Sequence, residues 1–103
     1  MLEDEKKVAV ALLYDKINSP RVVAKGRDEL ADSILEIAKA ADVPITEDYL
    51  LAETLAKLEL DQEIPESLFR AVAVVLAWVY RVQGKTPWDE EGNGYYIFTS
   101  LSY

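Results

Sequence analysis

Histidine and cysteine are both absent from the 103 residues, so the commonest general base and the commonest nucleophile are unavailable. No disulfide framework can form, which suits the cytoplasm. Glycine and proline number four each, and Gly26 and Gly84 stand isolated, so no phosphate-cradling glycine pattern arises. Basic residues are scarce: eleven against nineteen acidic ones, a net charge of −8. That field repels nucleic-acid backbones and anionic lipid, and favours a basic or amphipathic partner only weakly, because salt screens it. No apolar run reaches bilayer length. Residues 68–82 come nearest, but they fall short of the roughly 20 needed and carry Arg70 and Arg81. Residues 1–7 are charged and lack the apolar core of a signal peptide.

What is present is globular. Half the residues are hydrophobic and 29% are charged, in a length suited to one domain with one core. The run Val8-Ala9-Val10-Ala11-Leu12-Leu13-Tyr14 is short and apolar on both alternating faces, as in a strand covered on two sides. Ala9 and Ala11 share one face, where a helix can approach closely. Residues 15–20 form a loop through Asn18, Ser19 and Pro20, and Val22-Val23-Ala24 is a second strand closed by Lys25-Gly26. Leu30, Ile34, Ile37, Ala38 and Ala41 recur at helical spacing behind Asp28 and Glu29. Val43-Pro44-Ile45-Thr46 reads as a third strand, which makes a parallel, right-handed βαβ unit with the second. Asp48 caps a second helix through Leu51 and Leu55, and Pro65 marks the start of a third.

That third helix, residues 65–82, carries apolar side chains nearly all round. Leu68, Val72, Val75, Val79 and Val82 form one stripe, and Phe69, Ala73, Leu76 and Tyr80 a second, about 100° per residue further round. Val74, Ala77 and Trp78 widen it again. Such a helix is either central to its own core or partly exposed as a groove for a partner. Beyond Gly84, residues 85–94 read as a linker, and Tyr95-Tyr96-Ile97-Phe98-Thr99 has high strand propensity.

Catalytic groups are thin. Serines 19, 33, 67, 100 and 102 have no evident activating partner, although Lys25 lies near Ser19 in sequence. The pairs Glu59 with Asp61 and Glu90 with Glu91 read as solvated faces. Asp89-Glu90-Glu91 lacks the spaced ligands and turn glycine of a calcium loop. No enzyme, cofactor or metal is expected.

The segment Pro20-Arg21-Val22-Val23-Ala24-Lys25-Gly26, with Ala9-Val10-Ala11-Leu12 before it, closely resembles the cytoplasmic domain of the FlhB/YscU family of flagellar and type III export-gate switch proteins, which includes EscU, HrcU and SpaS. The likeness continues through Val43-Pro44-Ile45 with Glu47 and through Gln62-Glu63-Ile64-Pro65. It ends in Ala71-Val72-Ala73 and Val75-Leu76-Ala77-Trp78-Val79-Tyr80. It spans about residues 8–82, in the family's order.

The resemblance implies an α/β fold: a small, mostly parallel central sheet of three to four strands flanked by three to four helices. The domain would occupy residues 1–84, with 85–103 as an extension of linker and strand. It implies a non-enzymatic, cytoplasmic protein-binding module, peripheral to the membrane export apparatus, that docks export substrates or export-gate proteins. The alternative is a structural fragment that completes a partner subunit without docking substrate. Neither reading involves nucleic acid or membrane insertion.

Family members carry a membrane-embedded region and cleave themselves in an Asn-Pro-Thr-His loop, where the asparagine amide attacks its own carbonyl. Here Asp4-Glu5-Lys6-Lys7 stands at those positions, without amide, proline or histidine, so a free-standing homologue that does not cleave itself is expected. The family's hydrophobic patch for early export substrates falls by position on Ser19, Pro20, Ala73 and Leu76. The family's strand before the cleavage loop belongs to the N-terminal fragment, so one sheet edge is expected to lack its neighbour and to permit weak self-association. The run 95–99 would pair with that edge in its own chain or another, remain a mobile tail, or pack as helix.

Overall fold

The computed structural model describes residues 7–14, 19–83 and 94–100. Alternation in the first apolar run sorts its side chains onto two faces. Strand β1 (Val8–Leu13) sends Val8, Val10 and Leu12 into one core cluster and Ala9 and Ala11 into another. Strand β2 (Arg21–Arg27) runs antiparallel to it, with a bulge where Ala11 faces Ala24 but Leu12 faces Val22. Val23 is the extra residue.

Helix α1 (Glu29–Ala40) lies over β1 and β2 on the alanine face. Its buried stripe is Ala31, Leu35 and Ala38. Of the expected Leu30, Ile34, Ile37, Ala38 and Ala41, Ala38 is on it, Ile34 packs half-buried at its side, and the other three are exposed. Leu30 and Ile37 are 65% and 69% exposed. The reason is clearance. The sheet presents Ala9, Ala11 and Gly26 beneath the helix, and a Cβ on Gly26 would lie 2.6 Å from that of Leu30. Small residues let the helix sit that close.

Strand β3 (Ile45–Glu47) leads to α2 (Tyr49–Ala56), where the Asp48 side chain accepts the Leu51 N–H at 3.0 Å as a helix cap. Helix α3 (Glu66–Gln83) begins one residue after Pro65. Leu51, Ala52 and Leu55 of α2 and Val72, Leu76 and Val79 of α3 share the cluster of Val8, Val10 and Leu12. Two helices thus cover one face and α1 alone the other. Strand β4 (Tyr95–Thr99) completes the sheet.

The sheet order is β2-β1-β4-β3. The α/β class, with four strands and three helices among the described residues, is as expected; the sense of the sheet is not. Pairs β1/β2 and β1/β4 are antiparallel and only β3/β4 is parallel. Strands β2 and β3 do point the same way, but they lie at opposite edges because β1 and β4 intervene. The run 95–99 pairs with β1 from within its own chain, and so belongs to the sheet rather than to an appendage. The neighbourless edge expected at β1 is therefore filled.

The connection around residue 62 also has a structural role. Val22 N–H donates to the Gln62 carbonyl at 3.1 Å, Ile64 N–H to that of Pro20 at 2.9 Å, and Asp61 N–H to that of Val22 at 2.6 Å. These bonds line the outer edge of β2, blunting it against further pairing. The opposite edge, β3, is three residues long. Residues 4–6 of the segment in place of the cleavage loop, and 85–93 of the expected linker, lie outside the described residues.

Candidate functional site

Pro20 ends a loop and begins β2, and the Ile64 bond to its carbonyl holds this corner beside the start of α3. Its side chain is fully buried. From α3, Val72 and Leu76 point inward into the core, while Phe69, Ala73 and Ala77 stand on the adjoining flank, exposed. Between corner and helix opens an apolar cleft of about 150 Å³, lined by Tyr14, Pro20, Phe69, Val72, Ala73, Leu76 and Ala77. Leu76, Val72 and Pro20 are its floor, Phe69 forms a wall, and the small Ala73 leaves the opening.

Three of the four residues assigned by resemblance therefore meet in one cleft. Ser19 is half-buried next to Pro20 and is not part of the lining. Tyr14, Phe69, Val72 and Ala77 were not foreseen as lining. Phe69 and Ala77 lie four residues either side of Ala73, so helical spacing could have found them. The opposite flank of α3 is apolar too, with Trp78 61% exposed and Ala71 beside Leu50 of α2. A second and larger recess, about 360 Å³, opens on the α1 face among Ala11, Ala24, Ile34, Ile37, Ala38 and Ile97.

Polar groups near these surfaces are engaged structurally. The Lys25 ammonium donates to the carbonyls of Ala56 and Leu58 at 3.0 and 2.6 Å, closing the C-terminal end of α2, where a cation is favoured. That removes it as an activating partner for Ser19. Arg27 forks onto Glu53 at 3.2 and 3.3 Å, a hydrogen bond that holds the guanidinium above its ordinary pKa. Among the described residues no group of three or more acidic side chains could hold a metal ion, and no helix is long and apolar enough to cross a membrane. The cleft can bury apolar atoms; its lining offers no acid, base or nucleophile poised on a substrate.

The fold is that of the cytoplasmic export-gate domains. The crystal structure of the cytoplasmic domain of FlhB from Shewanella putrefaciens superposes with a TM-score of 0.69 at 42% identity, covering 73% of this chain and 65% of that one. Residues 4–79 match the model of the FlhB HrpN YscU SpaS family, and the chain belongs to that family of flagellar and type III export-gate proteins. It is 45% identical to the protein YlqH of Bacillus subtilis over 76 residues, 72% of this chain and 82% of YlqH. It is also 45% identical to the flagellar biosynthetic protein FlhB of Bacillus subtilis over 80 residues, 75% of this chain but 22% of that protein. The chain thus spans most of YlqH and about a fifth of FlhB.

Proposed function

We propose that this chain is a cytoplasmic binding module of the flagellar or type III export apparatus, and that the cleft beside Pro20 docks a short apolar segment of an export substrate. One observation carries the reading: Phe69, Ala73 and Ala77 stay exposed over a floor of Pro20, Val72 and Leu76 that is already dry. An apolar side chain entering there loses water contact without uncovering any buried polar group, so docking is nearly all hydrophobic gain. The overall charge of −8 gives a basic flank on the segment a modest, salt-dependent advantage. Completion of a partner subunit through a bare sheet edge has less support, because β4 occupies the edge of β1 and residues 61–64 line that of β2.

The test is Ala73→Asp. In the free chain the new carboxylate stays hydrated, so circular dichroism and melting temperature hold within a few degrees. On docking it is desolvated without a partner, which costs more than the roughly 1–3 kcal/mol of a neutral polar group. Binding of an apolar export-signal peptide, read by fluorescence anisotropy, falls roughly tenfold or more. Unchanged affinity would remove the cleft from the docking reaction. The module acts without cutting itself, because Asp4 has no side-chain amide nitrogen to attack the chain; intact mass stays constant over days at neutral pH. A fragment cut between Asp4 and Glu5 would contradict this.

A further inference from the structure

Strand β4 lies between β1 and β3, yet the family match ends at residue 79, well before Tyr95. The matched segment contains both neighbours of this slot and not the strand that fills it. Emptied, the slot would hold β1 and β3 two ladder spacings apart, about 9–10 Å, each with a bare inner row of N–H and C=O groups.

The slot is built in detail for an extended chain. At one end the Tyr14 N–H donates to the Gly94 carbonyl at 2.8 Å. At the other, the Val8 N–H donates to Ser100 Oγ at 3.0 Å, and the Val8 carbonyl accepts from Thr99 Oγ1 at 2.9 Å and from the Ser100 N–H at 3.1 Å. On the β3 side, Ile97 N–H donates to the Pro44 carbonyl at 3.0 Å and Asp48 N–H to that of Thr99 at 2.9 Å. Between these clamps Tyr96 and Phe98 enter one core and Ile97 the other. Gly94 has φ +79°, and a Cβ there would lie 3.0 Å from the Tyr14 carbonyl oxygen, so the position calls for glycine. The fitting ligand is a seven-residue extended segment that opens on glycine, alternates large apolar side chains between two cores and ends on hydroxyls.

We infer that the slot is a strand-accepting site, and that it takes residues 94–100 of a second copy of this chain as well as its own. The clamps, ladder and side-chain pockets are satisfied identically whichever copy supplies the strand, so exchange sacrifices no contact in the slot. The result is a two-fold, strand-swapped pair.

The experiment uses the full chain with a protease recognition sequence replacing residues 86–91, cut after folding. A fluorescent peptide of residues 94–103 is then added in excess, and gel filtration follows the label. We expect the severed strand to remain with the body, the labelled peptide to replace it over hours, and a Phe98→Asp peptide to take at least tenfold higher concentration. In parallel, the uncut chain concentrated and returned from mild denaturant gives a dimer that persists on dilution. Three outcomes overturn the inference: the severed strand leaves a body that stays folded and takes no peptide; the body unfolds and peptide does not restore it; or peptide exchanges while the uncut chain stays monomeric throughout.

Discussion

The two faces of the sheet are built on different terms. One carries Val8, Val10, Leu12, Val22, Tyr96 and Phe98 beneath two helices; the other carries Ala9, Ala11 and Ile97 beneath α1 alone. The first face is filled by volume, with side chains from α2 and α3 interlocking over β1 and β4. The second is filled by proximity, with the Ala31 and Ala38 stripe of α1 laid close on alanines, and it leaves an open recess between the flank of α1 and the sheet. Stability should therefore concentrate on the first face, and tolerance to added volume on the second.

The largest expected effect tests the first half of that contrast. Phe98 is fully buried at the centre of the sheet, opposite Val10. Phe98→Ala should lower stability by about 3–5 kcal/mol, read by urea denaturation. Ile97→Ala, one residue along and facing the recess, should sit near the lower end of the usual 2–5 kcal/mol for aliphatic truncation. Equal losses at both positions would break the contrast.

Next comes the close approach of α1. Gly26→Ala would place a Cβ 2.6 Å from the Cβ of Leu30, an atom tied to the helix backbone rather than the free end of a side chain. The helix must lift, and overpacking of this kind costs about 1–3 kcal/mol. An unchanged melting temperature would show that α1 is not held by proximity.

These elements also explain which parts of the fold could be read in the residues alone. The alternation of β1 was legible because period two separates valines from alanines without ambiguity. The buried stripe of α1 was legible at Ala38 but not at Ala31, which Leu30, Ile34 and Ile37 outweigh in apolar area; what selects the stripe is the clearance over Gly26 and Ala9, a tertiary fact. Strand sense was misjudged for a related reason. A parallel βαβ unit follows from local order alone, whereas β1 and β4 come to lie between β2 and β3 only through long-range pairing. The cleft was partly legible, since Pro20, Ala73 and Leu76 came from resemblance and Phe69 and Ala77 follow from spacing. Tyr14 depended on where β1 ends.

A smaller effect separates the helix starts on the two faces. Asp48 accepts the Leu51 N–H, so Asp48→Ala should cost about 1 kcal/mol. Asp28 precedes α1 with φ 54° and ψ −116° and makes no side-chain cap bond. Its backbone lies in a region that glycine occupies more readily than any other residue. Asp28→Gly should then hold or raise stability, by up to about 1 kcal/mol, in the same denaturation series. A loss there comparable to that of Asp48→Ala would mean the carboxylate contributes in some other way.

The smallest effect is the most discriminating for the second face. Ala11 is buried in a strand yet borders the 360 Å³ recess, so two added methyl groups have open space to enter. A valine there also gains from the strand preference of branched side chains. Neighbouring Ala9 lacks that outlet: it is fully buried in the alanine-face cluster with Ala31 and Leu35 and does not line the recess. Ala11→Val should therefore change stability by no more than about 0.5 kcal/mol in either direction, within the range of a surface substitution. Ala9→Val should cost the 1–3 kcal/mol of an overpacked core. The two variants differ by two positions on one face of one strand, so propensity and chemistry cancel between them and only clearance remains. If both destabilise alike, the recess closes in solution, and α1 covers its face as completely as α2 and α3 cover theirs.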